Sequence, residues 1–100
     1  MRVYELGSAG ECTHAFEVDN DVLPGPILGR TLESVDGVTD VRLKTELFSK
    51  DENRAYFTFQ GVPFVVWEPF GDNSRYWIGP ADQSTPPPDL GPLIRAFSAL

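Results

Sequence analysis

Residues 55–70, Ala-Tyr-Phe-Thr-Phe-Gln-Gly-Val-Pro-Phe-Val-Val-Trp-Glu-Pro-Phe, form the most apolar stretch of the chain and constrain its fold more than any other segment. They read as a β-hairpin turning at Gln60-Gly61, with Gly61 supplying the positive φ of a two-residue turn. In that register Phe59 pairs with Val62, Phe57 with Phe64 and Ala55 with Val66. Directly paired residues share a face of the sheet, so these six apolar side chains define a core face. The opposite face carries Tyr56, Thr58, Pro63, Val65 and Trp67. A sheet half exposed to water shows polar residues there. Side chains of this size are worth roughly 1.5–3 kcal/mol each when fully buried, so the second face calls for a cover. Helices of the same chain, a second copy or another protein would each supply one.

The flanking segments supply the remaining elements. Residues 2–6 read as a short strand, followed by a four-residue hairpin loop, Gly7-Ser8-Ala9-Gly10. Residues 11–18 alternate, with Cys12, His14, Phe16 and Val18 on one side and Glu11, Thr13, Ala15 and Glu17 on the other. A turn-rich run, Asp19 through Pro26, leads into a helix carrying Ile27, Leu28, Leu32 and Val35 at helical spacing. Pro26 suits its first turn, and Gly37 its left-handed cap. Residues 38–47 read as an uninterrupted strand with Val41, Leu43, Thr45 and Leu47 facing one way, and Arg42, Lys44 and Glu46 the other. A polar turn at 49–53 enters the hairpin. A second turn at 71–74 leads to a last strand, Arg75-Tyr76-Trp77-Ile78. A stiff Pro-rich connector, residues 81–89 with Pro86-Pro87-Pro88, ends at Asp89. That residue caps a final helix with the stripe Leu90, Leu93, Ile94, Phe97 and Leu100.

The expected fold is therefore a single α+β domain over residues 1–100. It is a two-layer sandwich with two helices on a mostly antiparallel sheet of five to six strands, in the order ββαββββα or βαββββα. A chain of 100 residues with 41% apolar and 12% aromatic content supports such a core. No run approaches the ~20 apolar residues of a membrane-spanning helix. The N-terminus shows no export signal, and the single Cys12 forms no internal disulfide. These features place the expectation in the cytoplasm.

Charge narrows the partners. The net charge is −7, and residues 1–40 hold only Arg2 and Arg30 against eight acidic side chains. A negative field repels nucleic-acid phosphates and anionic membranes and attracts a basic protein. An acidic surface also serves solubility alone.

Motifs for chemistry are sparse. Cys12 and His14, two apart on one strand, would point the same way toward a metal or a nucleophile–base pair. Their face is completed by Phe16 and Val18, which makes them core residues. Asp19-Asn20-Asp21 opens like a calcium loop, but Leu23, Pro24 and Gly25 stand where later ligands belong. Glu68, between Trp67 and Pro69, is the carboxylate in the most apolar setting, and an ion pair with Arg75 accounts for it. Gly25 and Gly29 lack the lysine and spacing of a phosphate loop, and no G-x-S-x-G occurs. No catalytic residue, metal site or cofactor is assigned. What remains is Tyr56, Trp67, Arg75, Tyr76 and Trp77, residue types enriched where proteins bind one another. They point to a small non-catalytic protein-binding module of the inhibitor or immunity-like kind, with a basic partner or a second copy as its target. The alternatives are a small-ligand protein or enzyme, with a pocket between sheet and helices near Glu68 and Trp77, and a self-associating structural subunit.

Overall fold

The computed structural model describes residues 2–6, 14–19, 25–43, 53–67, 75–82 and 87–100. Its elements are β1 (Val3–Leu6), β2 (Ala15–Asp19), α1 (Gly25–Glu33), β3 (Val38–Leu43), β4 (Asn53–Phe59), β5 (Val62–Trp67), β6 (Arg75–Pro80) and α2 (Gly91–Ser98). The order is ββαββββα, one of the two expected. All six strands join one antiparallel sheet in the order β1-β2-β6-β5-β4-β3. The last four strands are a meander, and the β1–β2 hairpin is added beside β6.

The central hairpin has the register that its apolar pattern demands. Phe59 pairs with Val62, Phe57 with Phe64 and Ala55 with Val66. At the turn both central residues have positive φ, 50° at Gln60 and 80° at Gly61, the geometry whose twist matches the flanking strands. A left-handed backbone is unfavourable for glutamine, so Gln60→Asn is expected to raise stability by about 0.5–1 kcal/mol. The urea midpoint checks this: an upward shift is expected. A downward shift would show that the packing of the Gln60 side chain beside Gly37 outweighs the backbone strain.

Helix α1 ends as its sequence implies. Gly37 takes φ 91°, and its carbonyl accepts the Gln60 N–H at 2.9 Å, which ties the helix exit to the hairpin tip. Thr31 is buried but satisfied, its hydroxyl donating to the Ile27 carbonyl at 2.7 Å. Leu28, Leu32 and Val35 of α1 and its exit turn meet Leu90, Leu93 and Phe97 of the α2 segment over one face of the sheet. There they enclose Phe16, Val18, Phe57, Phe59, Phe64, Val66 and Ile78. Phe64 sits among rings, 5.3 Å from Phe57 and 5.8 Å from Phe59 between centroids.

Four expectations are corrected. Strand β3 is not uninterrupted: between the pairs Thr39–Thr58 and Arg42–Tyr56 it holds one extra residue, with Asp40 at φ 55°. This bulge brings Val38 and Leu43, five apart, to the same face, opposite Phe59 and Ala55. It also breaks the regularity of an edge strand, which discourages pairing with a further strand. His14 is exposed rather than part of the core. It lies just before β2, its N–H on the Leu6 carbonyl at 3.0 Å. Leu100 is 50% exposed, because α2 stops at Ser98 and the apolar stripe outruns the helix. Asp89 stands one residue ahead of the cap position, held by Leu90, yet its carboxylate still accepts the Gly91 N–H at 2.9 Å. Cys12, Glu68, residues 44–47, the turns at 7–10, 49–52 and 71–74, and Asn20 and Asp21 lie outside the described residues.

Candidate binding face

Among the described residues both helices lie on one side of the sheet, and the alternation of each strand decides which residues the other, helix-free side presents. The pairs Tyr4–Glu17, Glu17–Trp77 and Trp77–Trp67 form one row across four strands. Gly79–Val65, Val65–Tyr56 and Tyr56–Arg42 form the next row toward the β3 edge. This helix-free face therefore carries Tyr4, Trp77, Trp67, Val65 and Tyr56 as a belt of large side chains. Tyr56 and Trp67 stay 37% and 36% exposed. Trp67 and Trp77 meet edge to face, with centroids 6.1 Å apart and planes at 77°, a favoured aromatic geometry.

Arg75 anchors the other end of the belt. Its guanidinium lies 3.7 Å from the centroid of the Tyr4 ring, with Arg2 5.2 Å from the same ring. It also reaches Glu17 at 3.5 Å and Asp19 at 3.8 Å across β2. The ring contact and the two carboxylates together favour one orientation of this guanidinium. Glu17 and Asp19 are the observed carboxylate neighbours of Arg75, and the expected pairing with Glu68 falls outside the described residues. At the β3 edge, Arg42 pairs with Asp40 at 3.2 Å beside a shallow depression of about 390 Å³ bordered by Tyr56, Pro63 and Val65.

Of the five residues singled out from sequence, four share this face: Tyr56, Trp67, Arg75 and Trp77. Tyr76 does not. It pairs with Val18 and packs against the core beneath the helices, because adjacent residues of a strand must face opposite ways. Trp77 for the same reason looks away from the helices, so it does not border the layer between sheet and helices where a ligand pocket was expected. The phenylalanines and leucines of the core occupy the middle of that layer, and Glu68, the other residue of that expectation, lies outside the described residues. Among the described residues no three His, Cys, Asp or Glu side chains gather as a metal-binding group, and no helix among them is long and apolar enough to cross a membrane.

Sequence reasoning missed Tyr4, Glu17 and Gly79. The alternation of the first strand marks Tyr4 as sharing a side with Arg2. Nothing local shows that this strand lies two places from β6.

Comparison of the chain with models of protein families, with curated proteins and with solved structures gave no match.

Proposed function

We propose that the protein is a non-catalytic binding module whose helix-free sheet face docks another protein. The observation that carries this reading is the pair of exposed rings, Trp67 and Tyr56, on a face that neither helix approaches. Large apolar side chains left together in water mark association surfaces, and Trp, Tyr and Arg dominate the energetics of such surfaces. The depression beside Tyr56 offers room for one anchoring side chain of the partner, with the Asp40–Arg42 pair at its rim. The net charge of −7 supports a role in steering a basic protein toward this face and opposes nucleic acid or an anionic membrane as the target. A second copy is the other candidate occupant, and a self-associating subunit would use the same rings. The reading sets the protein in the cytoplasm.

The test is comparative. Immobilised wild-type protein, Trp67→Ala and Arg30→Ala, the last on an exposed position of α1, are offered the same native lysate, and circular dichroism confirms that each is folded. Loss of a specific captured protein by Trp67→Ala but not by Arg30→Ala supports the reading. Equal capture by all three contradicts it.

A further inference from the structure

We infer that Gly79 is a positioning residue for the aromatic face: it forms the seat on which the Trp77 indole lies. Residues 77 and 79 are two apart on β6 and share the helix-free side. A Cβ added at Gly79 would stand 2.6 Å from Cη2 and 3.0 Å from Cζ2 of Trp77, and 2.9 Å from the Cβ of Ala15 on β2. The indole therefore does not rise from the sheet. It folds back along its own strand and covers the α-carbon of residue 79, where only hydrogen fits. Ala15, fully buried, closes the slot from the neighbouring strand, and Val65 stands opposite on β5.

Glycine inside a strand weakens it and marks a place where another group comes close. Here that group is a side chain of the same strand. The seat has a geometric consequence for the neighbouring tryptophan. Trp67 and Trp77 are direct cross-strand partners, a relation that permits several ring arrangements. Holding one indole over residue 79 selects the edge-to-face contact at 77° and leaves Trp67 partly exposed. Gly79 itself is buried; it acts through Trp77. Its importance for docking rests on the binding reading above, whereas the seat stands on the intramolecular distances alone.

Two measurements test the seat without any partner. In the wild-type protein the indole should displace a Gly79 α-proton from the usual glycine range by its ring current, and Trp77→Leu should return that proton to the usual range. A Gly79 α-proton at an ordinary position, or one unmoved by Trp77→Leu, overturns the proposal. Second, two coupled indoles give an exciton couplet in the far-ultraviolet circular dichroism. Folded Gly79→Ala should lose this couplet to the level of Trp67→Phe, and a full couplet in folded Gly79→Ala overturns the proposal. If Gly79→Ala does not fold, the proton shift in the wild type decides. Failure of the docking reading would leave both signals in place, so the two ideas fail separately.

Discussion

Phe64→Ala should lower folding stability by about 3–5 kcal/mol. Phe64 is 1% exposed, lies between two other phenylalanine rings, and projects from the middle of the sheet into the layer shared with α1 and α2. Its removal takes away the transfer free energy of a whole ring and leaves a cavity that rigid strands cannot close. Small domains hold only about 5–15 kcal/mol in total, so this one change consumes about a fifth of it or more. The neighbouring Val65→Ala provides the internal contrast. Val65 faces the helix-free side and is half-buried, and its truncation should cost about 1 kcal/mol. Urea titration of both variants is the measurement, with the midpoint falling and the slope unchanged. Equal losses at positions 64 and 65 would mean that both faces of the sheet are packed alike.

The second large effect concerns binding rather than folding. Trp67→Ala should weaken the captured partner by at least about 30-fold, the loss of roughly 2 kcal/mol typical of a central aromatic anchor. Stability should fall by less than the roughly 3–5 kcal/mol of a fully buried ring, since Trp67 is 36% exposed and already partly in water. Titration calorimetry with the purified partner, beside thermal unfolding of the same samples, separates the two. A large loss of stability with unchanged affinity would make Trp67 a packing residue and remove it from the docking surface.

The hairpin was legible in the sequence because every physical signal in it agrees. Six apolar side chains fall on one face under a single register, and the glycine stands where the turn needs it. The two helices were legible from their stripes and from Gly37 and Pro26, although Leu100 extends the stripe past the point where the backbone leaves the helix. The bulge at Asp40 was missed, although the pattern holds a trace of it. Val38 stands three residues before Val41, out of step with the Val41–Leu43 alternation, and the extra residue is what lets Val38 and Leu43 share a face. The composition of the helix-free face was only half legible. Alternation requires Tyr76 and Trp77 to part, but the register of Val66 opposite Ile78 decides which of them meets the helices. Tyr4 and Glu17 entered through the pairing of β2 with β6, which joins residues 58 positions apart in the Glu17–Arg75 contact. No local pattern encodes that neighbourhood. His14 illustrates the same limit at smaller scale, since the alternation that carries Phe16 and Val18 into the core leaves His14 exposed.

The most direct test of the docking face is site-specific photo-crosslinking in native cell extract. A benzophenone-bearing phenylalanine is placed at position 56 on the helix-free face and, in a separate protein, at position 30 on α1. The account expects a discrete crosslinked product from position 56, abolished when Trp67 is also changed to alanine, and none from position 30. Crosslinking from position 30 with none from position 56 would contradict it.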